Sequence, residues 1–353
     1  MGETDDGSVE GEMRRRKWPT ISVVTPTYNS GRVLERCLRL VREQDYPQKK
    51  IEIVLADGGS KDSTFEIAQK YGARVVKVPP EKQHAEYNRG VAFNAARGEL
   101  ALILDHDNYL PHKGWLKEMV EPLLANSGMV ATETCYYHYD KSYNLMDRYF
   151  ALFGTSEPLP YFLGKADRMP WGVKKWSLVG KAQDKGKYFV VEFEPDPRRI
   201  PSIGTNGCLM WRELVIGNAK ATPEYHIPMD VMVDVIMKGY NQFGFVKNSI
   251  IHLTHSQGLR EFLRRRKKFV EQYHFEERAI RRWSVVWSGD EWGLVRYVVY
   301  SLTLVGPMWT AIKGWWRIRD VAWWVHPAMC LGTTLMYGEV VVRFKLMGLL
   351  KGR

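Results

Sequence analysis

Two carboxylates one residue apart, in Asp105-His106-Asp107, directly follow the apolar run 100–104. Aspartates at that spacing on a strand end suit a hard divalent cation, Mg2+ or Mn2+, which keeps waters and takes substrate phosphate oxygens as further ligands. An ion held there would neutralise a leaving diphosphate. The same triplet also serves as an ordinary solvated turn, so its place after a buried run is what gives it weight. A second group, Asp57-Gly58-Gly59-Ser60, follows the apolar run 51–56. Asp57 offers acceptor oxygens to a base or ribose, and the two glycines allow close backbone approach and positive φ. Ser60 or Asp62 is placed to cap the next helix. Alone, this group is as well explained by a tight turn. Thr27-Tyr28-Asn29 follows the run 21–25 and Pro26.

The elements that must position these groups alternate. Runs 21–25, 51–56, 75–78 and 100–104 have the length and composition of buried strands. Between them Leu34, Cys37, Leu38 and Val41 fall at helical spacing, and 62–71 and 84–97 also predict helices. Such alternation implies an α/β fold, a Rossmann-like, mostly parallel sheet with helices on both faces. Ligands of open sheets bind beyond the carboxyl ends of the strands, so the three polar groups should meet in one crevice. Residues 140–200 are rich in Tyr, Trp, Pro and Lys with weak periodicity, and are read as a lid or acceptor insertion. Runs 243–246 and 250–253 predict two short strands with Lys247-Asn248 as a turn.

In order and spacing these residues resemble family 2 glycosyltransferases, inverting enzymes of the GT-A fold. The resemblance runs from about residue 19 to about residue 269. It is carried by Val23-Val24-Thr25-Pro26-Thr27-Tyr28-Asn29, Asp57-Gly58-Gly59-Ser60 and Asn88-Arg89-Gly90. Leu104-Asp105-His106-Asp107, Gly204-Thr205-Asn206-Gly207 and His252 continue it. It implies that Pro26, Tyr28 and Asn29 line the nucleotide pocket and Asp57 contacts the base. Asn88 falls within the donor-binding set, Asp105 sits near the ribose and Asp107 binds the metal. Asn206 and Gly207 would flank the donor sugar and acceptor, and His252 or His255 would reach the diphosphate or metal. Inversion onto a hydroxyl needs a carboxylate base. The family's Glu-Asp pair is missing here, which leaves Asp230 at a predicted helix start, or Asp234 one turn later. Either is also explained as a favourable charge at a helix N-terminus. A lipid phosphate acceptor would need no base. The processive motif Gln-x-x-Arg-Trp is represented only by Gln257-Gly258-Leu259-Arg260-Glu261, which implies one sugar per event.

Composition adds the partners. The net charge of +11 implies an anionic one. The basic stretch Arg260, Arg264, Arg265, Arg266, Lys267, Lys268 is interleaved with Leu259, Phe262, Leu263 and Phe269. It predicts an amphipathic helix that lies on an anionic membrane or grips a diphosphate or lipid phosphate, with a solvated face as the plain alternative. No nucleic-acid module accompanies it. Apolar segments 297–312 and 321–338 fall slightly short of a bilayer span. Flanked by Trp309, Trp315, Trp316, Trp323 and Trp324, they are expected to form an in-plane or re-entrant hairpin kinked at Pro307 and Pro327. Two spans or a buried helical subdomain are the alternatives. Four widely spaced cysteines argue against a zinc site or disulfide framework.

The expected organisation is a flexible tail at 1–18, a GT-A domain at 19–258, a basic helical segment at 259–290 and a membrane-associated C-terminal helical region at 291–353. The expected function is inverting, metal-dependent transfer from a UDP- or GDP-sugar to a polyprenyl phosphate or lipid-linked glycan, with the catalytic domain facing the cytoplasm. A sugar-phosphate nucleotidylyltransferase would open with a Gly-rich, Arg-containing loop, which Thr25-Pro26-Thr27-Tyr28-Asn29 does not supply. A non-catalytic scaffold would not need Asp57, Asp105 and Asp107 together.

Overall fold

The computed structural model describes residues 18–254, 258–272 and 280–351. The tail therefore lies almost wholly outside the described residues, and so does His255. In chain order the strands are β1 (Ile21–Thr27), β2 (Ile51–Asp57), β3 (Arg74–Lys77), β4 (Leu100–Ile103) and β5 (Asn108–Tyr109). They continue as β6 (Met129–Tyr137), β7 (Lys181–Asp184), β8 (Tyr188–Glu192), β9 (Cys208–Trp211) and β10 (Gln242–His252). The sheet runs β3-β2-β1-β4-β9-β6-β10-β8-β7, with β5 paired to β10. β3, β2, β1 and β4 are parallel, as are β6 and β10, while β9, β8, β7 and β5 pair antiparallel. The sheet is therefore mixed, and "mostly parallel" describes only its first half. β7 and β8 are joined by a short reversal, whereas β6 is reached through the helix Trp115–Ala125 and β10 through the helices Arg212–Asn218 and Pro228–Met237.

Strand alternation sorts the core into two layers. Ile21, Val23, Ile53, Leu55 and Leu102 face one way. They are covered by α1 (Gly31–Arg42) and α4 (Trp115–Ala125) through Leu34, Leu38, Trp115 and Met119. Val24, Val54, Ala56, Ala101 and Ile103 face the other way. There they meet α3 (Ala85–Ala95) and α8 (Pro228–Met237) through Phe93, Val231 and Ile236. The short helices α2 (Thr64–Lys70), α5 (Leu145–Phe153), α6 (Pro158–Phe162) and α7 (Arg212–Asn218) complete this part.

β10 is one strand where two were expected. Its pairing with β6 shifts register between Val246 and Ser249, so Lys247 and Asn248 form a bulge and not a turn. The Trp115 indole N–H, donating to the Ser249 carbonyl at 2.9 Å, fastens the bulge to α4. Residues 140–200 contribute α5, α6 and the β7–β8 hairpin, whose Phe189 and Val191 pack into the sheet's core.

The basic stretch is helical over α9 (Leu259–Val270). The C-terminal region comprises α10 (Glu291–Thr303), α11 (Val305–Arg317), a 3-10 turn at Val321–Trp324 and α12 (Val325–Lys351). Leu304, with φ 58°, breaks the expected segment 297–312 into two helices. Pro307 and Pro327 stand in the first turns of α11 and α12, where a missing N–H costs nothing, so they start helices instead of kinking them. Among the described residues no helix is long and apolar enough to cross a membrane. Part of this region is buried against α5: Tyr149, Phe150 and Phe153 pack with Phe262, Ala311, Trp323 and Met329. The four cysteines are buried free thiols.

Candidate functional site

The loop after β2 is organised around Asp57. Its Oδ1 accepts the Gly59 and Ser60 amides at 2.9 and 2.7 Å, and its Oδ2 accepts the Ser60 and Thr27 hydroxyls at 2.6 and 2.9 Å. Gly59 has φ 93°, which only glycine adopts without strain. Asn29, at φ 49°, closes the same loop: its amide donates to Ser60 Oγ and its Oδ1 accepts the Lys61 amide. Asn88 is buried in α3 and donates to the Thr27 carbonyl at 3.2 Å. The Pro26 carbonyl lies 3.2 Å from His106 Nδ1, and Tyr28 is exposed. The ends of β1, β2 and β4 thus come together as expected.

Asp105 receives Arg89 Nη2 on both oxygens, at 2.9 and 3.1 Å, and Arg89 also pairs with Glu86. Burial raises the Asp105 carboxyl, but Arg89 outweighs it, with help from His106 and His252, and holds it below the usual carboxylate range. Asp107 is half-buried and accepts only Asn108 Nδ2, at 3.0 Å on Oδ1, among the described residues. The same amide lies 2.7 Å from His252 Nδ1. The topology explains this meeting, because β5 pairs with the end of β10 and puts Asn108 opposite His252.

The residues fit a metal that relies on its substrate. No three His, Cys, Asp or Glu side chains form a protein-only cage among the described residues. Asp107 nevertheless keeps one oxygen without a protein donor among the described residues, while its other oxygen shares the Asn108 amide with the His252 imidazole. A carboxylate and few other protein ligands are what Mg2+ or Mn2+ needs when a diphosphate completes the shell.

Across the crevice, the loop before β9 carries Asn206 at φ 50° and Gly207 at φ 93°. It is held by a buried ion pair: Arg168 Nη2 donates to Glu133 at 2.8 Å and to the Asn206 carbonyl at 3.0 Å, and Glu133 accepts the Gly204 amide at 2.7 Å. Asn206 Nδ2 donates to Tyr137 Oη at 3.1 Å, and that hydroxyl donates to Asp167 Oδ2 at 2.6 Å. Burial, and next the Asp167 charge, push the Tyr137 hydroxyl well above its ordinary range, so it keeps its proton.

A cavity of about 260 Å3 opens between these parts, lined by Arg89, Asp105, Tyr137, Asp167, Asn206 and His252. Glu157, Arg266 and Arg281 close its far side.

Several expected site residues lie elsewhere. Asp230 is fully buried; Arg281 donates to both its oxygens at 2.9 and 3.2 Å, and the Trp283 amide donates at 2.8 Å. Asp234 pairs with Arg282 at 2.9 Å and accepts the Lys220 amide. Neither carboxylate lines the cavity, so the geometry gives them structural contacts in place of the base role. Arg260 and Arg264 line a separate groove between α9 and α12, of about 1160 Å3, with Leu263, Leu335 and Met336. Arg265 donates to the Thr254 carbonyl, while Arg266, of the same basic stretch, turns to the cavity. Helical phase within the basic run was the available signal for Arg266. Nothing local in the sequence marks Tyr137, Asp167 or the Glu133–Arg168 pair.

Residues 22–174 match the family model Glycosyl transferase family 2. Glycosyltransferase AglE of Haloferax volcanii is 31% identical over 109 residues, 30% of this chain and 36% of that protein. Undecaprenyl-phosphate 4-deoxy-4-formamido-L-arabinose transferase of Edwardsiella ictaluri is 39% identical over 93 residues, 25% of this chain and 29% of that protein. The chain thus spans about a third of the length of these curated relatives. Among solved structures, a mannosyltransferase of Pyrobaculum calidifontis in complex with GDP-Man and Mn2+ aligns over 95% of this chain and 91% of that one. The TM-score is 0.48 at 17% identity.

Proposed function

We propose that this chain, a family 2 glycosyltransferase across residues 22–174 with a mixed α/β, GT-A-like sheet, moves one sugar with inversion from a UDP- or GDP-sugar to a lipid-borne acceptor at a membrane surface. The observation that carries this is that Asp105, His252 and Asn206 line one cavity at the strand ends, with Asp107 joined to His252 through Asn108 and Asp57 joined to the end of β1 through Thr27.

In this reading the ordered loop of Asp57 and Asn29 receives the nucleoside. Arg89 fixes the Asp105 carboxylate in one orientation, towards the ribose. Asp107 and His252 hold Mg2+ or Mn2+, which when bound neutralises the charge developing on the leaving diphosphate. Asn206, set by the Arg168–Glu133 pair, flanks the donor sugar. Because these groups are fixed before substrate arrives, little reorganisation is needed as charge develops.

A lipid-borne acceptor is supported by the relative whose name includes undecaprenyl phosphate. The surface supports it too. Val295, Val298, Val299 and Leu302 form an exposed stripe at i, i+3, i+4, i+7 on α10, and Val305, Met308, Trp309 and Trp316 are exposed on α11. Lys313, 5.2 Å over the Trp309 ring, Arg317 and Arg319 add positive charge there. An apolar stripe rimmed by Lys and Arg matches a helix pair lying in an anionic lipid interface.

The test is transfer from a panel of UDP- and GDP-sugars to polyprenyl phosphate or a lipid-linked glycan in anionic vesicles. The reading expects one donor to be used and product to appear in the lipid phase. Donor turnover that ignores both lipids, together with no vesicle binding, would remove the membrane part.

A further inference from the structure

The family's base is missing from α8, and the cavity itself shows what replaces it. Resting on the glycosyltransferase reading above, we infer that Asp167, from the 140–200 segment, is the general base, and that the acceptor's nucleophile is therefore a neutral hydroxyl rather than a phosphate. The geometry narrows the choice in two steps.

First, the cavity carries four carboxylates, Glu86, Asp105, Glu157 and Asp167, against three guanidiniums, Arg89, Arg266 and Arg281. Each guanidinium is already paired: Arg89 with Asp105 and Glu86, Arg266 with Glu157, Arg281 with the buried Asp230. An incoming phosphate would meet a surplus of negative charge, while a hydroxyl would not.

Second, three of the four carboxylates sit in close ion pairs with arginine. Asp167 has only a looser one: Arg168 Nη1 stands at 3.6 Å, beyond hydrogen-bond reach, while Arg168 Nη2 donates to Glu133. Tyr137 donates to Asp167 Oδ2 and orients the carboxylate, and among the described residues no donor holds Oδ1. Asn206, on the loop beside the donor sugar, completes the relay by donating to Tyr137. A carboxylate with one neutral hydrogen-bond donor and a loose ion pair on Oδ2, lining a cavity shared with Asp105, has the form of a positioned base.

Asp167 takes the proton of the acceptor O–H as that oxygen attacks the anomeric carbon. The bond from that carbon to the diphosphate oxygen breaks, and its electron pair leaves on the nucleoside diphosphate. The protonated Asp167 then releases its proton to water.

The experiment compares wild type with Asp167→Asn and Asp167→Glu, using the nucleotide-sugar panel and three probes: an alkyl glucoside, farnesyl phosphate and water alone. Asn keeps an acceptor oxygen for Tyr137, so the fold should persist, with melting temperature and donor dissociation constant as controls. We expect wild type to use the alkyl glucoside or water. Asp167→Asn should lower that kcat by about 10^2–10^4 with donor affinity unchanged, and Asp167→Glu should recover part of it. Full turnover in Asp167→Asn, or wild-type transfer to farnesyl phosphate and to neither hydroxyl probe, would overturn the inference while leaving the glycosyltransferase reading intact. Absence of donor binding by wild type would sink both.

Discussion

Asp57 accepts four hydrogen bonds, three from Gly59 and Ser60 of its own loop and one from Thr27 at the end of β1. Its first duty is therefore to shape that loop, which we propose receives the nucleoside. Asp57→Ala should leave buried donors unpaired at a cost of about 1–3 kcal/mol each in the worst case, so we expect a lower melting temperature and at least tenfold weaker donor binding by calorimetry. Two histidines give the pH dependence. Burial, and next Arg89, lower His226 to about 3; burial does the same for His326. Both stay neutral in the fold, while the unfolded chain protonates them below about 6.5. Stability should thus fall as pH drops from about 6.5 towards 3, since the unfolded state binds more protons in that window. His226→Gln should flatten the melting-temperature profile there, and an unchanged slope would contradict this. Asp105 and Asn206, both in contiguous motifs, can be picked out in the sequence and both line the cavity. The ties of Asp230 cannot be picked out, because its partner Arg281 lies 51 residues away and the helix-start pattern is the same for a base and a buried anchor.

Elements were legible where contacts are local. The first four strands and the helices between them announce themselves by period and length, and the observed strands lie within two residues of the expected bounds. β10 reads as two strands in the sequence because a polar pair inside a strand looks like a turn, and only the partner strand reveals a bulge. The helical break at Leu304 is signalled by Pro307 three residues on, which reads as a kink in the sequence and here starts the next helix. Gly90 shows what a motif glycine does for packing: a Cβ there would stand 2.7 Å from Pro223 Cα and 2.8 Å from His226 Cβ. Gly90→Ala should force α3 away from the loop before α8 and cost about 1–3 kcal/mol, read as a lower urea midpoint. On α11, Trp309→Asp and Trp316→Asp should each weaken binding to anionic vesicles about tenfold, the scale of one large side chain withdrawn from an apolar phase. Unchanged binding would argue that this stripe does not meet the lipid.

At the scale of the whole molecule, the cavity wall ties the sheet domain to the C-terminal helices. Glu157, buried next to α6, pairs with Arg266 of α9 and accepts the Tyr337 hydroxyl of α12 at 2.9 Å. Arg266→Ala would strand that carboxylate and should cost about 3–5 kcal/mol, whereas Arg266→Met combined with Glu157→Gln should recover much of the loss in thermal melts. The C-terminal helices were foreseen as a membrane-associated hairpin because sequence counts their apolar residues without saying which ones face α5. Parts of that surface pack inward and parts stay exposed. The most direct measurement of the central claim is calorimetric binding of UDP- and GDP-sugars to wild type and Asp107→Ala, with Mn2+ and with chelator. The account predicts one nucleotide class bound with Mn2+, weakened by chelator and lost in the variant. Donor binding by Asp107→Ala equal to wild type, or none by wild type with metal, would contradict it.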